Sequence, residues 1–101
     1  MNDVWRYVVT PRAARDLRQL DSAIRQRVLD ALDRLVARAG QGDIHRLVGT
    51  ADEYRLRVGD WRVRYRVAHL TEPVTPPAIG NLTVHEVVAL RVLPRGRAYR
   101  E

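Results

Sequence analysis

The sequence predicts an α+β domain: a small, largely antiparallel β-sheet with two N-terminal helices packed on one face, in the order β-α-α-β-β-β. Three observations carry that expectation. A β-branched and aromatic run opens the chain at 4–9; a capped, helically spaced apolar stripe follows between 10 and 40; the later apolar stretches have strand length and strand periodicity. All residues, 1–101, are expected to form one domain. A chain of this size buries roughly 60–70% of its unfolded surface around a single core.

Val4-Trp5-Arg6-Tyr7-Val8-Val9 is β-branched and aromatic and reads as the first strand. Thr10 then offers an N-cap hydroxyl and Pro11 suits the first helical position, with Ala13, Leu17 and Leu20 at helical spacing behind them. Ser22 is placed to cap a second helix, in which Ile24, Val28, Ala31, Leu32, Leu35, Val36 and Ala39 line one face. Gly40 is expected to end it at C′. The opposite face carries Arg25, Asp30, Asp33, Arg34 and Arg38, a solvated set in which Asp30 and Arg34 form an i,i+4 pair. Residues 40–53 read as a loop anchored to the core by Leu47.

YRLRVGDWRVRYRV, residues 54–67, alternates apolar residues with arginine on both sides of Gly59-Asp60. Gly-Asp has the length and residue types of a two-residue hairpin turn requiring positive φ. That register sets Val58 opposite Trp61, Leu56 opposite Val63 and Tyr54 opposite Tyr65 on an apolar side meant for the helices. The other side sets Arg57 opposite Arg62 and Arg55 opposite Arg64, with Arg66 beyond. The proline-rich segment from His69 to Asn81 shows no periodicity and is expected to be a long connection. LTVHEVVALRVL, residues 82–93, is nearly continuously apolar, as a central strand buried on both faces should be. Arg95, Arg97, Tyr99 and Arg100 crowd the last residues.

The net charge of +6 and the absence of lysine make all 18 cationic residues arginine. An anionic partner suits that balance. Coding bias explains the missing lysines, but not the alternation of arginine along 55–66. With no cysteine there is no disulfide, thiolate nucleophile or Cys-rich metal site, and no apolar stretch approaches the ~20 residues needed to cross a bilayer. With no secretion signal in view, a cytoplasmic protein without a membrane partner is expected. His45 and His69 fall in expected loops and His85 in a strand, without ligand spacing, so neither metal nor cofactor is expected. Gly49, Gly59 and Gly80 fit no phosphate-loop motif.

Like charges directly opposite in a sheet destabilise it, and a polyanion on the arginine face would relieve the cost. Carboxylates such as Glu53, Asp60 or Glu86 could also offset it. Phosphate binding alone gives a binder. RNA cleavage also needs a group to take the 2′-OH proton, charge stabilisation at phosphorus, and protonation of the leaving 5′-oxygen. Arginine suits the second task and is too weakly acidic to serve as a base. Tyr99, among guanidinium groups that favour its phenolate, is a candidate for the first; it could equally stack on a base or pack against the core.

Leu47-Val48-Gly49, the 54–67 hairpin and the closing LPRGRAY resemble the RelE/ParE superfamily of bacterial toxins from toxin–antitoxin pairs, from end to end of the chain. In its RelE branch the resemblance implies a metal-independent endoribonuclease that cuts mRNA in the ribosomal A site through 2′-OH attack. By position, Arg57, Arg62, Arg95 and Tyr99 would be catalytic, with Arg55, Arg64, Arg66 and Arg97 binding substrate. Some members carry lysine where this chain has Arg55 and Arg57, which puts a lysine base out of reach. Pro94 stands where a histidine often precedes the arginine. The ParE branch shares the fold but inhibits DNA gyrase. Either branch implies a cognate antitoxin, with ribosome and mRNA as further partners of the RelE type and DNA reached only through the antitoxin complex. A noncatalytic nucleic-acid binder is the reading from a different class.

Overall fold

The computed structural model describes residues 3–39, 44–46 and 53–94. Five strands and two helices follow in the order β1 (Asp3–Val9), α1 (Pro11–Arg18), α2 (Ser22–Ala37), β2 (Ile44–Arg46), β3 (Glu53–Val58), β4 (Trp61–Pro73) and β5 (Asn81–Pro94). The sheet order is β1-β5-β4-β3-β2. All neighbours are antiparallel except β1, which runs parallel to β5. This is the expected α+β architecture with one short strand added, β2, inside the stretch read as a loop.

Local chemistry explains the helix ends. Thr10 Oγ1 accepts from the Ala13 amide at 3.1 Å and Pro11 takes the first helical position. The second helix is capped one residue earlier than expected: Asp21 Oδ1 accepts from the Ile24 amide at 3.0 Å, and Ser22 is already helical. Arg38 closes that helix and Ala39 takes positive φ, while Gly40 lies outside the described residues, as does Leu47. Arg25 is not merely a solvated side chain. Its Nε donates to Leu17 O at 3.0 Å and its Nη2 to Leu20 O at 2.8 Å, neutralising the carbonyl end of α1. Asp30 accepts from Gln26 at 2.9 Å, in place of the expected pair with Arg34.

Both helices lie on one sheet face, α1 over β5 and α2 from β1 to β3. Between the layers sit Ala13, Val28, Leu32, Leu35, Val63, Tyr65, Val87 and Ala89, all nearly inaccessible. Asp16 fastens α1 to β5, accepting from Arg91 Nε and from the Val92 amide, each at 2.8 Å. On the sheet's other face Val4, Val8 and Leu70 are exposed.

The segment from His69 to Asn81 is not a long connection. β4 and β5 stay paired from Trp61↔Pro94 to Pro73↔Asn81, and residues 74–80 close the arm. His69 is therefore in a strand, as is His45 in β2. No helix among the described residues is long and apolar enough to cross a membrane.

Candidate functional site

The hairpin forms in the expected register: Tyr54↔Tyr65, Arg55↔Arg64, Leu56↔Val63, Arg57↔Arg62 and Val58↔Trp61. Gly59 has φ +59° and Asp60 does not share the positive sign, the pattern of a type II′ turn with glycine first. Leu56, Val58, Val63 and Tyr65 enter the core, and the Tyr54 and Tyr65 rings stack at 5.5 Å. By strand alternation the arginines project from the opposite face.

That face is not uniformly solvent-exposed. Arg55 and Arg62 are buried, at 9% and 7% exposure. Burial lowers the pKa of the Arg55 guanidinium. Arg62 folds back on its own turn, Nη1 donating to Gly59 O at 3.1 Å and to Trp61 O at 2.9 Å. Arg64 is paired with Glu53, Nη2 to Oε1 at 2.6 Å. Arg57 and Arg66 are the two exposed members.

Sequence reasoning missed Arg91. The register shifts between Arg64 and Tyr65, so Tyr65 faces Ala89 while Arg64 faces Arg91, leaving Leu90 as the bulged residue. The bulge keeps both Ala89 and Val92 in the core and completes a cross-strand row of Arg55, Arg64 and Arg91. Strict alternation along 82–93 would have sent Arg91 inward, so nothing in that apolar run flagged it. The row's repulsion is met from within by Glu53 on Arg64 and Asp16 on Arg91. Glu86 lies elsewhere, bonded to Arg6 at 2.9 Å, with Glu72 on the same guanidinium.

Arg95, Arg97 and Tyr99 lie outside the described residues. Two described tyrosines move away from phenolate chemistry. Burial pushes Tyr65 up to about 12, with Tyr54 adding to it, and burial together with Asp33 raises Tyr7. The structure brings together His69 and His85, Nδ1 to Nδ1 at 2.8 Å, which no spacing in the sequence had suggested. Trp5 stacks on His85 at 4.7 Å and Asp3 lies 3.6 Å from its Nε2. Those rings sit seven positions along β4 from Arg62, roughly 23 Å at strand rise, and do not join the arginine row. Among the described residues no cluster of three or more potential metal ligands forms.

Comparison with known proteins agrees with this geometry. The family model described as the ParE toxin of type II toxin–antitoxin systems, parDE, matches residues 7–99. A chain of the RelB–RelE antitoxin–toxin complex from Methanococcus jannaschii superimposes with a TM-score of 0.60 at 20% identity, over 91% of this chain and 94% of that one. At that identity the likeness is one of fold. No curated protein matches the chain at a significant level.

Proposed function

Since the chain belongs to the ParE toxin family of type II toxin–antitoxin systems, we propose that it arrests growth by cutting mRNA on the ribosome and is held silent by a cognate antitoxin. The observation that supports this reading most directly is the hairpin register, which sets Arg57 opposite Arg62 and Arg55 opposite Arg64 on the face turned from the helices. Arg57 and Arg66, both exposed, are the phosphate contacts on the hairpin, and Arg97 is our candidate for a third. Arg62, held against the turn carbonyls, is a preorganised cation for charge developing at phosphorus. Arg55 and Arg64 back that centre with positive potential, and Arg95 adds a further guanidinium.

In the reaction the ribose 2′-oxygen bonds to phosphorus as the bond to the 5′-oxygen breaks. The 2′-hydroxyl proton passes to a base, and the 5′-oxygen takes up a proton as it leaves. Tyr99 is our candidate for that base. The antitoxin would cover the arginines with an acidic or amphipathic segment, matching the toxin's net charge of +6.

Gyrase inhibition is the second reading. The family description names ParE, and Arg62 and Arg64 already hold bonds inside the hairpin. One experiment separates the two: induce the toxin, map transcript ends, and assay supercoiling by purified gyrase with the purified protein. Cleavage within A-site codons, lost in Arg57→Ala and Tyr99→Ala proteins that still fold, supports the first reading. Arrest with intact transcripts and inhibited supercoiling selects the second.

A further inference from the structure

A separate cationic pocket lies on the helix side of the hairpin turn. It encloses about 220 Å³ and is bounded by Arg27, Asp30 and Arg34 of α2 and by Arg57 and Gly59 of the hairpin. That is several times the roughly 30 Å³ occupied by one liquid water. The Arg27 guanidinium lies against the turn: a Cβ at Gly59 would stand 2.9 Å from Arg27 Nη2. On the turn's other side the Gly59 carbonyl accepts from Arg62, so a single glycine is flanked by two guanidiniums.

Three guanidinium-bearing residues line this pocket against one carboxylate, and that carboxylate, Asp30, already accepts from Gln26. Arg27, Arg34 and Arg57 make no side-chain hydrogen bond or ion pair within the described residues. This contrasts with the neighbouring arginines, each of which has its own acceptor: Arg25 on α1 carbonyls, Arg62 on the turn and Arg64 on Glu53. Planar forks without acceptors beside one pocket suit a tetrahedral oxyanion, which can take bidentate bonds from more than one of them.

We propose that this pocket binds a phosphate group. Arg57 belongs both to the pocket and to the arginine face, so a strand lying on that face meets the pocket at the turn. The inference goes beyond the reading above: it needs neither cleavage nor Tyr99.

Two measurements test it, neither of which reads cleavage. Isothermal titration of the full chain with inorganic pyrophosphate should give saturable one-site binding. The affinity should fall at least tenfold in the Arg27→Gln, Arg34→Gln double variant and rise severalfold in Asp30→Asn. Binding of a single-stranded oligonucleotide should then depend less steeply on salt in the double variant, by about 0.7 in the log–log slope for one lost phosphate contact. Pyrophosphate binding with an unchanged slope supports the site and assigns it to a small phosphate compound. Absence of saturable binding, or equal affinity in the double variant with native circular dichroism, overturns the proposal. Asp30→Asn supplies an independent check, because a loss of affinity there would contradict the electrostatics.

Discussion

Asp16→Ala should be among the most damaging single changes outside the apolar core. The Asp16 carboxylate accepts from Arg91 Nε at 2.8 Å, Arg91 Nη2 at 3.3 Å and the Val92 amide at 2.8 Å. The Asp16 and Arg91 side chains are only 12% and 17% exposed. Breaking one partner of a buried pair costs about 3–5 kcal/mol, whereas exposed pairs contribute about 0–1 kcal/mol. Slight solvent access places this pair below the buried limit, and loss of an acceptor for the Val92 amide adds about 1–3 kcal/mol. A net loss of about 2–4 kcal/mol follows, or a fall in Tm of roughly 10–25 °C for a domain of this size. Urea unfolding followed by circular dichroism measures it. Asp16→Asn, which keeps one amide oxygen for the Val92 N–H, should lose about half as much. A double-mutant cycle with Arg91→Ala should give a coupling of about 1–3 kcal/mol. A loss below about 0.5 kcal/mol for Asp16→Ala, the scale of an ordinary surface change, would refute the idea that this carboxylate fastens α1 to the end of β5.

Three further outcomes are expected. Gly59→Ala should cost about 1–2 kcal/mol, because the residue holds φ +59° and its new Cβ would displace Arg27; heat denaturation measures it, and a neutral effect would contradict the turn assignment. Tyr65 has its phenol pushed up to about 12, so the protonated form is favoured in the folded state. Its contribution should be intact below pH ~10 and lost as pH rises through about 12, with Tyr65→Phe flattening that fall in urea midpoints; equal slopes for the two proteins would contradict it. In the His69–His85 contact one Nδ1 must donate and the other accept, so nitrogen-15 spectra at neutral pH should show one ring protonated at Nδ1. Two rings both carrying their proton only on Nε2 would rule the contact out.

Wherever local chemistry and a covered face agree, the fold was legible. The hairpin register followed from Gly59-Asp60 and alternation, because shifting one residue would move Leu56, Val63 and Tyr65 out of the core. The helix stripe from Ile24 to Val36 and the Thr10-Pro11 start followed for the same reason, whereas Ala39, expected on that stripe, lies past the end of α2 and is exposed. The β4–β5 arm was hidden because His69–Pro73 extends where the strands have little core to bury against, so hydrophobic periodicity has nothing to record there. Pairing with β5 and the Arg6–Glu72 contact specify it instead. Arg25 and Arg91 were illegible for a different reason: each bonds a group distant in space or supplied by another element, and neither a helix wheel nor a strand alternation encodes that partner. The arginine face was legible as a set and not in its allocation of partners, since alternation gives direction without burial.

That allocation decides how the arginines should be tested. Arg62 bonds the turn carbonyls, so Arg62→Ala should lower stability by about 1–3 kcal/mol as well as toxicity, and its phenotype alone cannot assign a role. Arg57 is exposed and makes no side-chain bond within the described residues, so Arg57→Ala should leave stability within about 0.5 kcal/mol of the parent. If the arginine face grips phosphate, Arg57→Ala should still reduce toxicity, and Arg57→Ala with Arg66→Ala should reduce it further with no change in the unfolding midpoint. Glu53→Gln tests the same face from the opposite direction. It releases Arg64 from its carboxylate and should strengthen oligonucleotide binding while weakening the fold. Should toxicity instead track stability across the four proteins, with Arg57→Ala fully toxic and Arg62→Ala weakened only as far as it unfolds, the arginines would be structural and the toxic surface would lie elsewhere.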